Sequence, residues 1–299
     1  MVELYSEGSL VSTKSFIKSY GGDTLNTAIA AARLGSSVSY ITRLGDDIHA
    51  AGLRDMIVQE GVALEAGRIF KGKTGLYMVS VSSDSEREFA YYRENSAACQ
   101  LCPQDISPQL IQSGKIIFAS GITMAISQSA RESVIKAFKI AKAAGIITAL
   151  DPNYRENLWL NSGKMVDALN EILPLVDVLL PSFPEDTEAI ISFKRPEQAL
   201  QHFMLKGVPL VIIKAGNQGC YIGYRNEVTH VPAMAIKAID TTGAGDAFNA
   251  GFLHGLARQE SLVQCAKLGV TTAALKVLNK GSALAMPNKD SVYSRAFAK

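Results

Sequence analysis

Short, continuously apolar stretches alternate with longer amphipathic ones along most of the chain. Apolar runs of this length are typical of strands buried on both faces of a parallel sheet, and amphipathic runs are typical of the helices that cover it. The predicted strands are Ser37–Thr42, Lys115–Ser120, Ile146–Asp151, Val176–Pro181 and Pro209–Lys214. The predicted helices are Thr24–Leu34, Ile48–Glu60, Gln128–Ala144 and Lys164–Leu173. The pattern predicts an α/β fold with a doubly wound, mainly parallel sheet.

One part of the chain breaks this alternation. Thr74–Val81 and Glu88–Arg93 are strand-like, aromatic runs around the polar turn Ser82–Ser85, and Ser9–Tyr20 is similarly strand-prone. We expect residues 9–20 and 73–98 to form a small β lid, inserted in a single domain that spans all 299 residues. The alternative is that these strands extend the main sheet.

Composition narrows the class of protein. The chain has 30 Lys and Arg against 28 Asp and Glu, so its net charge of +2 gives no reason to expect nucleic acid or a membrane surface as a partner. It has no segment resembling a signal peptide, and no apolar run approaches the roughly 20 residues that span a bilayer. Four cysteines do not make a disulfide framework, and the Cys99–Cys102 pair has no second pair to complete a zinc site. These features predict a cytoplasmic enzyme or binding protein.

The run Asp240-Thr-Thr-Gly-Ala-Gly-Asp246 is the strongest chemical signal. Gly243, Ala244 and Gly245 form a turn that leads into a helix, where backbone N–H groups favour negative charge. Asp246 follows on the first helical turn, where a carboxylate can accept a proton from an attacking hydroxyl. The alternative for Asp246 is a helix-capping residue. The run has neither a Walker A lysine nor the G-x-G-x-x-G spacing of dinucleotide folds.

A second motif opens the first predicted helix. In Gly21-Gly22-Asp23-Thr24-Leu25-Asn26, the paired glycines allow close approach of the backbone to a ligand, and Asp23 and Asn26 offer groups for hydroxyls. The two motifs together resemble those of the ribokinase-like (PfkB) family of carbohydrate kinases. The resemblance extends over nearly the whole chain. It implies that Asp246 is the catalytic base and that Gly22, Asp23 and Asn26 hold the sugar.

Three further stretches, 75–77, 91–97 and 151–159, resemble the 2-keto-3-deoxygluconate kinases of that family. Arg93 and Arg155 can pair with a carboxylate or a phosphate, and Tyr77 and Tyr91 can offer a ring face and a hydroxyl to a carbon chain. The resemblance implies that these four residues bind the sugar acid and that Arg155 also stabilises the transferred phosphoryl group. For the tyrosines the alternative is packing within the lid, and for Arg93 an exposed lid charge.

The resemblance also implies where ATP and Mg²⁺ bind. Lys214, Gly216 and Gly219 follow a buried strand and match the nucleotide loop, whereas Asn153 and Arg155 are expected to face the phosphates. The glycine turn at 243–245 is expected to contact ATP as well. Glu185 would organise Mg²⁺, through water, because this ion keeps much of its hydration shell.

Three features depart from the family pattern. Ser182 stands where many relatives have Asn, and Ser282 stands where some sugar-acid kinases have an acidic residue. Relatives also begin with an apolar strand ahead of the stretch that Val2–Tyr5 resembles, so we expect a strand near the sheet centre to be shortened or absent. The sequence therefore favours ATP-dependent phosphorylation of the 6-hydroxyl of 2-keto-3-deoxygluconate. The alternatives are a kinase of fructose or another deoxy-keto acid, and a sugar-binding homologue without activity. The lid is a plausible surface for homo-oligomers.

Overall fold

The computed structural model of the protein describes residues 1–65, 70–81, 87–159 and 161–298. Its strands are β1 (Val2–Glu7), β2 (Ile17–Tyr20), β3 (Val38–Ile41), β4 (Val62–Glu65), β5 (Leu76–Val81), β6 (Arg87–Tyr92), β7 (Ile116–Ser120), β8 (Ile147–Asp151), β9 (Val178–Leu179), β10 (Leu210–Lys214), β11 (Cys220–Tyr224) and β12 (Glu227–Val231). Its α-helices are α1 (Asp23–Arg33), α2 (Ile48–Gln59), α3 (Pro108–Ser113), α4 (Gly121–Ala125), α5 (Gln128–Ala143), α6 (Ser162–Ile172), α7 (Glu185–Ile191), α8 (Pro196–Leu205), α9 (Ala244–Ala257), α10 (Leu262–Lys276) and α11 (Lys289–Ala296).

The chain forms two compact units. The first comprises Met1–Leu101, Ile236–Gly251 and Thr271–Lys299, and the second comprises Cys102–Ala235 and Phe252–Val270. Both units combine strands with helices, so the α/β class predicted from the hydrophobic pattern is confirmed.

The first unit contains a four-stranded sheet in the order β2-β1-β5-β6 and the parallel pair β3-β4. β1 pairs in parallel with β5 and antiparallel with β2, and β5 pairs antiparallel with β6. Beside the β3-β4 pair, α1 and α2 contribute Leu25, Ile29, Leu53 and Ile57 to one apolar cluster. Burial of each such side chain contributes about 1.5–3 kcal/mol to stability.

The second unit is built on a six-stranded sheet in the order β12-β11-β10-β9-β8-β7. β7 to β10 are parallel neighbours, and β11 and β12 continue the sheet antiparallel. Phe138 of α5, Ile172 of α6 and Phe203 of α8 are fully or almost fully buried and belong to one cluster with Leu150 and Leu179 of the sheet. The parallel strands place Asp151 and Lys214, the last residues of β8 and β10, at the same edge of the sheet.

Most predicted elements are present within one or two residues of their expected bounds, and two are much shorter than predicted. Val176–Pro181 contains only the two-residue strand β9, although the N–H groups of Asp177 and Leu180 also donate to carbonyls of β8. Ser9–Tyr20 contains only the four-residue strand β2. β1 lies in the same sheet as the predicted lid strands β5 and β6. The turn predicted at 82–85 falls outside the described residues. That residues 9–20 and 73–98 act as a lid stays a prediction. No helix in the described part of the chain is long and apolar enough to cross a membrane.

Candidate active site

Asp246 lies on the first turn of α9 and is held by a residue of the other motif. Its carboxylate oxygen Oδ2 accepts a hydrogen bond from Asn26 Nδ2 at 2.8 Å, and its backbone carbonyl accepts one from Thr27 Oγ1 at 3.3 Å. Asn26 Oδ1 in turn accepts from the Gly22 N–H at 3.3 Å. The side chains of Asn26 and Asp246 are 4% and 9% exposed, so this polar contact is shielded from bulk water. The two motifs singled out in the sequence therefore meet in the first unit.

In the glycine turn before Asp246, one backbone N–H group already donates a hydrogen bond within the turn. Gly243 has a left-handed backbone conformation, with φ of 77°, and its carbonyl accepts from the Ala247 N–H at 2.9 Å. The Ala244 N–H donates to the Thr241 carbonyl at 3.1 Å. Ala244 can therefore serve as an anion-binding amide only if that bond opens, whereas Gly243 and Gly245 carry the remaining amides of the predicted set.

Tyr77 lies in a buried polar network that was not predicted. Its hydroxyl donates a hydrogen bond to the Glu3 carboxylate and lies 3.2 Å from Ser282 Oγ. Ser19 Oγ donates to Glu3 Oε1 at 2.6 Å. Burial raises the pKa of Tyr77 well above its ordinary value, and the negative charge of Glu3 adds to the rise. Tyr77 therefore stays a neutral hydroxyl whose proton points to Glu3, and towards a ligand its oxygen can only accept.

Gly21 lies directly against this network, which leaves no room for a side chain at this position. A Cβ atom at this position would collide with the hydroxyl oxygens of Ser282 and Tyr77 and lie 3.4 Å from Glu3 Oε2. Close approach, rather than an unusual backbone conformation, thus requires glycine at the first position of the Gly21-Gly22 pair.

Two polar atoms near α1 are buried without a hydrogen-bond partner among the described residues, Asp23 Oδ2 and Arg93 Nε. Both side chains act electrostatically on Tyr40, whose hydroxyl lies 3.1 Å from Thr24 Oγ1. Burial raises the pKa of Tyr40 to about 12; the Asp23 charge adds to the rise, and the Thr24 hydrogen bond and the Arg93 charge oppose it. A buried guanidinium N–H left without an acceptor costs free energy.

Tyr91 extends the aromatic surface from Tyr77. The two rings stack with centroids 6.0 Å apart, and Phe89 stacks on Tyr91 at 5.9 Å. Tyr77 is 5% exposed, whereas Tyr91 is 39% exposed. Packing within the sheet therefore accounts for part of the role of both residues.

The second unit holds a buried ion pair between Lys214 and Asp151. Lys214 Nζ lies 2.6 Å from Asp151 Oδ2, with side chains 8% and 3% exposed. The neighbouring Asp186 accepts from the backbone N–H groups of Ser182 and Tyr154, both at 2.6 Å. Burial raises the pKa of Asp186 to about 6; the Asp151 charge adds to the rise, and Lys214 opposes it. The Lys214 ammonium is thus engaged within the protein, and its expected contact with ATP stays a prediction.

The other residues expected to meet the nucleotide occupy loops of the second unit. The Asn153 N–H donates to Asp151 Oδ1 at 3.1 Å, and its backbone is left-handed, with φ of 41°. Arg155 is exposed, and its Nη1 donates to the Tyr154 carbonyl at 2.7 Å. Gly216 has open space around its Cα, whereas a Cβ at Gly219 would collide with the Val231 carbonyl oxygen. Packing alone therefore demands glycine at position 219.

Glu185, the expected Mg²⁺ residue, is exposed at the start of α7. No group of three or more His, Cys, Asp or Glu side chains within the described ranges could hold a metal ion. A single exposed carboxylate fits Mg²⁺ that is held mainly by phosphate oxygens and water, but not an ion caged by protein ligands. The adjacent Asp186 does not fit, because its oxygens are bonded to backbone N–H groups.

Glu3 and Lys276 are buried charged residues that the sequence did not single out. Charged side chains are rarely buried unless they are paired, and their partners here are distant in the chain. Glu3 bonds to Ser19 and Tyr77, and Lys276 bonds to the Asp240 carbonyl. The one sequence signal for Lys276 was a lysine between the apolar residues Leu275 and Val277 at the end of α10.

Comparison with known proteins agrees with the two motifs. A family model described as pfkB family carbohydrate kinase matches residues 1–289. Probable fructokinase-5 of Arabidopsis thaliana is 32% identical over 257 residues, which are 85% of this chain and 79% of that protein. The 2-dehydro-3-deoxygluconokinase of Haemophilus influenzae is 31% identical over 279 residues, which are 89% of this chain and 88% of that protein.

A solved structure shows the same fold. The crystal structure of fructokinase from Vibrio cholerae O395, in a form bound to fructose, ADP and calcium ion, has a TM-score of 0.85 and 26% identity. The match covers 98% of this chain and 96% of that chain, which confirms the ribokinase-like α/β fold. With a family model over nearly the whole chain and relatives above 30% identity, the protein belongs to the pfkB family of carbohydrate kinases and is a sugar phosphotransferase.

Proposed function

We propose that this sugar kinase transfers the γ-phosphoryl group of ATP to the 6-hydroxyl of 2-keto-3-deoxygluconate. The observation that carries the choice of a sugar acid is Arg93 Nε, which is buried and has no acceptor among the described residues. A guanidinium in that state favours a carboxylate ligand over a neutral hydroxyl, since a charged hydrogen bond is worth about 1.5–3 kcal/mol.

The residues of the first unit support roles in binding and proton transfer. Asp246 accepts the proton of the 6-hydroxyl, whose oxygen then forms the new bond to the γ-phosphorus while the bond to ADP breaks. Asn26, which donates to Asp246 Oδ2, keeps that carboxylate oriented and ionised. Gly22 and Asp23 belong to the same sequence motif as Asn26. Tyr77 and Tyr91 supply an apolar face for the carbon chain.

The residues of the second unit are assigned to the nucleotide. Asn153 and Arg155 would contact the phosphates, with Arg155 able to turn its exposed guanidinium from Tyr154 to the transferred group. The backbone of Gly216 and Gly219 would contact ATP, together with the turn at 243–245. Mg²⁺ bound with ATP neutralises phosphate charge, and Glu185 would hold it through water.

Fructose is the second candidate acceptor. Fructokinase relatives match this chain as well as the sugar-acid kinase does, at 32% against 31% identity. Ser282 also favours this alternative, because it supplies a neutral hydroxyl where some sugar-acid kinases have an acidic residue. Fructose has no carboxylate, so the two acceptors differ in their need for Arg93.

A coupled assay of ADP release over a panel of sugars and sugar acids tests the proposal. We expect turnover with 2-keto-3-deoxygluconate, and kcat/KM for this acid should fall about 10- to 100-fold in Arg93→Gln, from loss of a charge-assisted contact. Arg295→Gln, at an exposed arginine of α11, is the matched control. Turnover of fructose alone, or equal loss of neutral and acidic acceptors in Arg93→Gln, would reject the sugar-acid assignment. Binding of acceptors without any ADP release would identify a silent homologue.

A further inference from the structure

Lys276, the last residue of α10, is a completely buried charge, with a side chain 0% exposed. Its ammonium donates to the Asp240 carbonyl at 2.9 Å and to the Asn279 carbonyl at 3.4 Å, and it lies 3.8 Å from Asp240 Oδ2. Burial of an ammonium is costly unless it is paired and hydrogen-bonded, and here carbonyl and carboxylate oxygens surround it. The site has the chemistry of a receptor for a small monovalent cation, filled by the protein itself.

Asp240, the partner of Lys276, begins the turn that leads to Asp246. Its Oδ1 accepts from the Thr242 N–H and its Oδ2 from the Gly281 N–H, both at 2.9 Å. The N–H groups of residues 239 and 240 both donate to the Val277 carbonyl, at 2.7 and 3.1 Å. The first half of the turn is thus tied to residues 276–281 by hydrogen bonds that converge on Asp240.

The charge of Lys276 is needed at this point of convergence. The Asp240 carboxylate is 1% exposed, and the carbonyls of residues 240 and 279 both turn their negative ends towards the same place. Without a cation these oxygens repel one another in a low-dielectric interior, and the turn relaxes to separate them. Asn26 holds Asp246 itself, so movement of the turn would displace the backbone amides of residues 243–245 from that carboxylate.

We propose that Lys276 is a positioning residue for phosphoryl transfer: its ammonium acts as a tethered cation that fixes the turn at 240–243 and thereby aligns the amides of 243–245 with Asp246. The inference rests on the proposed role of Asp246 as the base. Lys276 touches neither substrate in this role. This role predicts that the turn requires the positive charge of the Lys276 ammonium and not merely the volume of the side chain.

Three variants of the full chain separate charge from volume. Lys276→Ala removes both, Lys276→Met retains most of the volume without the charge, and Lys267→Ala removes an exposed lysine of the same helix as a control. We expect kcat to fall by about 10²-fold in both Lys276 variants, the scale of a small misplacement of catalytic groups, with little change in either KM. Lys267→Ala should retain the kcat of the natural protein.

Chemical rescue supplies the decisive readout. n-Propylamine replaces the atoms that Lys276→Ala lacks, so it should raise the thermal midpoint and kcat of this variant in a saturable manner. Tetramethylammonium at equal concentration should do neither, and neither amine should affect the natural protein. Full kcat in Lys276→Met, or failure of propylamine to change the midpoint of Lys276→Ala, would overturn the proposal. The thermal midpoint is measured without substrate. It therefore still tests the role of the Lys276 ammonium if no acceptor is phosphorylated and the proposed function fails.

Discussion

Asn26 Nδ2 donates a hydrogen bond to Asp246 Oδ2 at 2.8 Å, although 220 residues of sequence separate the two side chains. The bond joins the motif that opens the first helix to the motif that carries the proposed base. A donor on an ionised carboxylate stabilises the charged form, so in the proposed mechanism Asn26 would keep Asp246 ready to accept a proton.

Replacement of Asn26 by Asp tests this role. The second carboxylate would disfavour ionisation of Asp246, so the acidic limb of the kcat profile should move to higher pH. The measurement is kcat against pH from about 5 to 9 for both proteins. Asn170→Asp, at an exposed position of α6, is the matched control and should leave the profile unchanged. An unshifted acidic limb in Asn26→Asp would mean that this contact does not control Asp246.

The Tyr77 hydroxyl should contribute to stability apart from any contact with substrate. Tyr77→Phe removes the donor to the buried Glu3 carboxylate and should lower the free energy of unfolding by about 1–3 kcal/mol. Tyr92→Phe, in the same sheet but at a residue 62% exposed, should change it little. Denaturant unfolding of both variants makes the comparison. Equal stability of Tyr77→Phe and the natural protein would show that the network does not stabilise the fold.

Much of the fold followed from the hydrophobic pattern, because buried strands and amphipathic helices leave a local periodic signal. Strand β9 shows its limit: apolar residues extend from 178 to 180, but the regular ladder spans only Val178 and Leu179, and Leu180 adds a single bond from its N–H to the Leu150 carbonyl. The two glycine motifs likewise predicted Asn26 and Asp246, whose contact in the first unit confirms that they belong together. The partners of Glu3 and Lys276 could not be predicted, since the contacts of a buried charged residue are defined by three-dimensional proximity and leave no periodic trace.

Asp186 should make stability depend on pH in the direction opposite to an ordinary salt-bridged carboxylate. Its pKa is raised from 3.8 to about 6, so the folded protein holds this proton more tightly than the unfolded chain. The contribution of Asp186 is therefore most favourable below about pH 4 and is lost as pH rises towards 6, by up to about 1.4 kcal/mol per pH unit.

The free energy of unfolding of the natural protein and of Asp186→Asn, measured from pH 4.5 to 7, isolates this contribution. Asp186→Asn should be less stable throughout, since its amide places N–H against a backbone donor, but the difference should shrink as pH rises. Parallel profiles would contradict the raised pKa.

Lys214 should act mainly through Asp151. Lys214→Met leaves the Asp151 carboxylate buried without its cation and should cost about 3–5 kcal/mol of stability. Lys194→Met, at an exposed lysine, is the control. Thermal and denaturant unfolding measure the loss, and KM for ATP is measured beside them. A raised KM for ATP with unchanged stability would instead establish Lys214 as a nucleotide ligand.

In the proposed reaction Asp246 removes the proton from the acceptor hydroxyl. Asp246→Asn keeps the shape of the side chain and can still accept from Asn26 through its amide oxygen, but it cannot take a proton at neutral pH. With the acceptor that the natural protein phosphorylates best, kcat should fall by about 10²–10⁴-fold while thermal stability and ATP binding are retained. Turnover of Asp246→Asn close to that of the natural protein would contradict the account.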